Sequence, residues 1–100
     1  MRKKIKILGF EYDIIQDKLA DKSNAAGSVN TLEQKIWIDI NQHEEKKQSS
    51  LLHEVIEELN EILNIRLKHP QIELLEAGLF SVIKENKLWN ANVAPTAVWS

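Results

Sequence analysis

No cysteine occurs among the 100 residues. That absence excludes a disulfide scaffold and every thiolate metal site, so any metal held here must rest on imidazole and carboxylate. Glycine and proline are also scarce, at three and two, and no linker, repeat or low-complexity block can be read. Nothing approaches the roughly 20 consecutive apolar residues needed to span a bilayer. The basic start, through Arg2, Lys3, Lys4 and Lys6, carries an apolar run broken by Lys6 and Glu11. It does not suit the hydrophobic region of a signal peptide, and a cytoplasmic protein is the economical expectation. Neither sign of charge prevails: 13 Lys plus Arg stand against 15 Asp plus Glu, a formal −2. The chain therefore offers no general attraction to nucleic acid, and a solvated strand end accounts for the basic cluster.

What is present is an ordinary globular balance, 43% hydrophobic and 28% charged, in a chain long enough for one domain with one modest core. Residues 1–100 are expected to form that domain, with residues 88–100 an irregular tail. An active site must share the helices and small sheet that hold the fold together. Residues 3–15 alternate in a way that suggests a strand or bent hairpin with one buried face. Residues 17–30, small and polar, read as a connection. Lys35 to Ile40 reads as a strand with Ile36, Ile38 and Ile40 on one face and Trp37 on the other.

Asn41 with Glu44 three residues later is an Asn version of the capping box, predicting a helix start near 41 or 42. That helix should run to about Asn64 or Arg66. Its apolar residues Leu51, Leu52, Val55, Ile56, Leu59, Ile62 and Leu63 fall in one arc at 100° per residue. Pro70 suits the first turn of a second helix, ending near Lys87, with Ile72, Leu75, Leu79, Val82 and Ile83 on one side. The expected class is α+β, a small and mostly antiparallel sheet packed on two main helices.

The chemistry lies on the first helix. His53 and Glu57, four positions apart, project from one face at neighbouring levels. An imidazole nitrogen and a carboxylate oxygen at that spacing can grip one divalent ion. Glu54 points partly aside and could hold a water as the general base of a hydrolase. His69, at the turn before the second helix, and Glu73, one turn into it, are further ligand candidates. A simple hairpin leaves Glu73 about 15 Å short of His53 and Glu57 along the helix. The helices must therefore cross steeply, or the segment Asn64–Lys68 must fold back. Against this stands a bland reading, in which His53, Glu57, Asn60 and Asn64 are a solvated polar stripe opposite the apolar arc. Glu76, at the edge of the second apolar face, needs a partner. His43 reads as surface, and Tyr12 and Trp37 as core or interface aromatics.

The stretch Leu51-Leu52-His53-Glu54-Val55-Ile56-Glu57-Glu58-Leu59-Asn60, with Leu67-Lys68-His69 and the run from Gln71 to Asn86, resembles small phage and prophage proteins of zinc-metallopeptidase type. These are zincin-like and related in pattern to the peptidase domains that clear phage repressors. The resemblance covers roughly residues 28–87, including Lys35–Asp39 as an edge strand before the active helix. It implies His53 as first ligand, Glu54 as general base and Glu73 as the carboxylate from the following helix. Glu57 stands where the family usually has its second histidine. Some members of the group carry glutamate there and histidine at the position of His69, which implies His53, Glu57 and His69 as the alternative ligand set.

Zinc suits a mixed nitrogen and oxygen donor set, and manganese or iron is compatible with it. The extra carboxylate lowers the charge of the site and makes a bound water a poorer acid. The expected function is thus metal-dependent peptide hydrolysis on a protein or peptide partner. Its rivals are a catalytically silent metal-binding domain and a metal-free interaction module, whose Trp37, Trp89 and Trp99 would support homodimerisation or partner binding.

Overall fold

The computed structural model describes residues 3–19 and 26–88. Strands β1 (Lys3–Ile7) and β2 (Phe10–Asp17) form an antiparallel hairpin, the bent hairpin its alternation predicts. Leu8 and Gly9 make the turn with φ of 51° and 85°. Positive φ at both central residues gives the backbone twist that suits a two-residue hairpin. Two further strands, β3 (Gly27–Asn30) and β4 (Lys35–Asp39), pair antiparallel, and β4 pairs parallel with β2. The sheet order is β1-β2-β4-β3. Two helices follow, α1 (Glu44–Leu63) and α2 (His69–Glu85). The class is α+β, with a mostly antiparallel sheet, as the sequence indicates.

One face of the sheet makes the core. Register places Ile14 beside Ile36 and Val29 opposite Ile36, so their side chains share that face. Ile7, Tyr12, Ile14, Ile36 and Ile38 are buried against Leu51 of α1, with Ile5, Val29, Val55 and Leu59 packed around them. This is why α1 lies on the sheet: its apolar arc has no other large surface to cover. Ile72 is the buried hydrophobic residue of α2; Leu75, Leu79 and Val82, expected on its inner side, are each about half exposed.

Three local expectations need correction. The connection predicted for 17–30 contains β3, a strand of four residues whose single large apolar side chain, Val29, gives no alternation to read. Ile40 lies beyond the end of β4 and is exposed. Helix α1 starts at Glu44, not at 41 or 42, with His43 in the extended cap position and no side-chain cap bond. The reason is a competing turn. The Gln42 amide donates to the carbonyls of Ala26 (3.1 Å) and Asp39 (3.0 Å), tying the start of the connection to the sheet.

The chain turns sharply after α1. Asn64 adopts the left-handed conformation, φ 51°, and the Ile65 N–H reaches back to the Asn60 carbonyl at 3.1 Å. That six-to-one closure is the Schellman ending of a helix. Arg66 is again left-handed, φ 68°. The Asn60 amide then holds both polar groups of Leu67: its oxygen accepts the Leu67 N–H (2.8 Å) and its nitrogen donates to the Leu67 carbonyl (3.3 Å). Leu67 is thereby drawn back to the level of Asn60. Of the two routes open to the sequence, the connection folds back. Beyond it, the Gln71 side chain accepts the Lys68 N–H at 2.7 Å, and Pro70 sits in the first turn of α2. Glu45 and Lys84, 2.9 Å apart, tie the far ends of the two antiparallel helices. No helix among the described residues is long and apolar enough to cross a membrane. Trp89 and Trp99 lie outside the described residues.

Candidate metal centre

Folding the connection back brings His69 to the face of α1 that carries His53 and Glu57. The two imidazole rings lie edge to face with centroids 5.6 Å apart. His53 Nε2 is 3.2 Å from Glu57 Oε1. Two donors bound tetrahedrally at about 2.0–2.1 Å stand about 3.3 Å apart, so this pair already has the spacing of two ligands on one ion. His53, Glu57 and His69 each offer a donor atom within 4.8 Å of the others. The set is imidazole and carboxylate, which fits zinc and the harder divalent ions alike. His69 is the exposed member of the set, and its side chain has room to adjust onto a common centre. Of the polar stripe His53, Glu57, Asn60 and Asn64, the first three are half-buried beneath α2 and its connection, and Asn64 stays exposed.

Glu73, the carboxylate expected from the second helix, stands behind His69 instead, 2.8 Å from its Nε2. Glu76 supplies the contact to α1. One of its oxygens, Oε1, lies 2.7 Å from His53 Nδ1, and the other accepts the Ser49 hydroxyl. The partner that its place beside an apolar face demanded is therefore His53 together with Ser49.

Glu54 is turned away from solvent, only 5% exposed. It borders a cavity of about 220 Å³ with Ala26, Gly27, Lys46, Ser50, His53, Glu73 and Glu76. Burial raises its carboxyl first, the charge of Glu57 and a hydrogen bond with Glu57 next, and the charge of Glu76 last; together they push it up to about 8. Gly27 makes room for this group. A Cβ there would stand 3.1 Å from Glu54 Oε2 and 3.3 Å from the Trp37 carbonyl.

The next acid, Glu58, was not singled out by the sequence. It is fully buried, and its two oxygens accept the hydroxyls of Tyr12 and, at 2.8 Å, Thr31. Burial and Glu58 push the Tyr12 phenol up to about 12. This trio joins α1 to the sheet one residue from the candidate ligand Glu57. The signal available was weak: Glu58 falls just outside the apolar arc of α1 and Glu54 further round toward Glu57, where carboxylates usually reach water. Gly27, Ser49 and the Asn60 clamp carried no signal of their own. Compared with known proteins, the chain matches no family model, no curated protein and no solved structure.

Proposed function

We propose that the chain is a small metal-dependent hydrolase, acting in the cytoplasm on peptide or protein bonds, with His53, Glu57 and His69 as the metal ligands. The observation that carries this reading is the meeting of three donors from two helices beside a sheltered carboxyl group. A divalent ion, zinc by preference, supplies Lewis acidity there, polarising water and the scissile carbonyl. The chain's own residues do the rest. Glu54 borders the cavity next to His53 and is placed to take a proton from water and return it to the leaving amine. It can act as a base only when ionised, and a cation beside it favours that form, offsetting burial and the charge of Glu57. Ser50 and Gly27 line the same cavity as His53 and Glu54. The resemblance to phage zincin-like proteins points the same way, with glutamate in the second-ligand position and histidine at 69.

A second reading has an observation in its favour. Glu57 in place of a histidine makes the centre less cationic, which weakens its hold on a nucleophilic water. That suits a domain that binds metal and regulates a partner by contact without turnover. The two readings separate in one experiment. The chain is purified without added metal, its metal content is measured, and peptide cleavage is compared in wild type and Glu54→Gln. A hydrolase keeps its metal and loses cleavage by about 10²-fold or more in the variant. Retained metal with no difference between the two proteins supports the silent domain. Absence of metal even after zinc addition removes both readings.

A further inference from the structure

We infer that Glu76, braced by Ser49, is a positioning residue that fixes which nitrogen of His53 faces the metal. This inference rests on the proposed metal site and concerns how its first imidazole is held. A neutral imidazole has one N–H and one lone pair, and only the lone pair can ligate. Which nitrogen is free is decided by the hydrogen bond the other one makes. An ionised carboxylate has no proton to give. Glu76 Oε1, 2.7 Å from His53 Nδ1, therefore calls for the proton on Nδ1. The lone pair is left on Nε2, the nitrogen that faces the candidate ligand Glu57 at 3.2 Å.

Two features show that Glu76 acts behind the imidazole and is not itself a ligand. Both of its oxygens are engaged, one by His53 and the other by the Ser49 hydroxyl, and the three-donor group does not include it. Its side chain is also sheltered, 17% exposed, as is that of His53. A hydrogen bond to a charged group in such a place is stronger than one in open water. The matching contact behind His69 differs: His69 and Glu73 are both more than half exposed, so that carboxylate holds its imidazole loosely. The centre thus has one fixed histidine on α1 and one adjustable histidine on α2. Because Glu76 belongs to α2 and His53 to α1, the docking of the helices and the orientation of the ligand are set by the same contact.

Carboxylates behind ligating histidines typically change metal affinity by about 10–100-fold when removed. The test uses the full chain labelled with ¹⁵N-histidine. Long-range proton–nitrogen correlation reads the His53 tautomer, and competition with a chromogenic chelator reads the zinc affinity. In wild type the proton should sit on Nδ1 with and without zinc, and zinc should shift Nε2. Glu76→Gln, which keeps the shape but removes the charge, should weaken zinc by about 10–100-fold and erode the Nδ1–H preference. Ser49→Ala should weaken zinc by a smaller, several-fold amount. Helix content by circular dichroism should remain in both.

Zinc coordination through Nδ1 in wild type overturns the inference. So does a Glu76→Gln affinity within about twofold of wild type, which would make Glu76 only a tie between helices. Complete loss of zinc binding in a folded Glu76→Gln protein would make it a ligand and overturn the positioning role as well. If wild type takes no zinc, the metal reading fails, and the tautomer of the metal-free protein still decides the role of Glu76: an Nδ1–H preference lost in Glu76→Gln upholds it, and an Nε2–H form in wild type defeats it.

Discussion

Asn60→Ala should uncouple the two helices at the point where the candidate site is assembled. The Asn60 amide makes two hydrogen bonds to the main chain of Leu67, at 2.8 and 3.3 Å. A typical intramolecular hydrogen bond contributes about 0.5–1.5 kcal/mol net. Leu67 is half-buried, so water replaces part of what is lost, and the expected cost is about 1–2 kcal/mol. In a chain of this length that lowers the midpoint of thermal unfolding by roughly 4–15 °C. A second effect should appear in metal binding. Leu67 lies two residues before His69, so a released connection lets that histidine wander from His53 and Glu57. Reordering it on binding should cost at least about 1.4 kcal/mol, a tenfold loss of zinc affinity. Urea unfolding of the metal-free protein reads the first effect, and chelator competition reads the second. Asn60→Asp keeps an acceptor for the Leu67 N–H but loses the donor to its carbonyl, and should fall between alanine and wild type. If Asn60→Ala leaves both the urea midpoint and the zinc affinity unchanged, the connection is held by something other than this clamp, and the account of how His69 reaches the site is wrong.

Other outcomes follow from the same geometry. Because the three donors come from two helices, zinc at a hundred times its dissociation constant should stabilise the fold by about 2.7 kcal/mol; an unfolding midpoint indifferent to a chelator would deny that the ion bridges α1 and α2. Tyr12→Phe leaves a buried Glu58 oxygen with one donor fewer and should cost about 1–3 kcal/mol by urea titration, an expectation that a change below 0.5 kcal/mol would contradict. The phenol also sets an alkaline limit. Its ordinary value of 10.0 is raised to about 12 in the fold, so the folded chain keeps a proton that the unfolded chain loses between those values. The stabilisation is whole below pH 10 and falls as pH rises toward 12, by about 2–3 kcal/mol at most; Tyr12→Phe should flatten that slope, and an equal slope in both proteins would remove Tyr12 as its cause. Gly27→Ala should displace Glu54 by a few tenths of an ångström, lowering peptide cleavage far more than zinc affinity, and equal losses in both would show that the alanine disturbs the whole centre.

The long helix with its apolar arc, the first hairpin, the second helix and the α+β class were all legible, because each repeats a period over many residues. The strand β3 was not, since a four-residue edge strand with one large apolar side chain has no period to show. The start of α1 was misread for a different reason: Asn41 and Glu44 have the right spacing for a cap, but Gln42 binds the carbonyls of Ala26 and Asp39, and one partner in that contest is 16 residues away in sequence. Glu58 shows the same limit. Its hydroxyl donors lie 46 and 27 residues away, and helical periodicity tells which face a residue is on but not what stands opposite it.

His53, Glu57 and His69 were named from spacing and resemblance, and what spacing could not supply was the path between the helices. The estimate of about 15 Å, made for Glu73, assumed a simple hairpin whose second helix starts level with the end of α1. Left-handed residues at Asn64 and Arg66 fold the connection back instead. Asparagine is enriched in that conformation; arginine is not, and holds it only where its surroundings require it. The surroundings here are the Asn60 clamp and the start of α2, so the strain at Arg66 and the approach of His69 to His53 have one origin. Residues that looked like a wet stripe on α1 are therefore a docking edge: Asn60 fixes the turn, and the turn delivers the third donor.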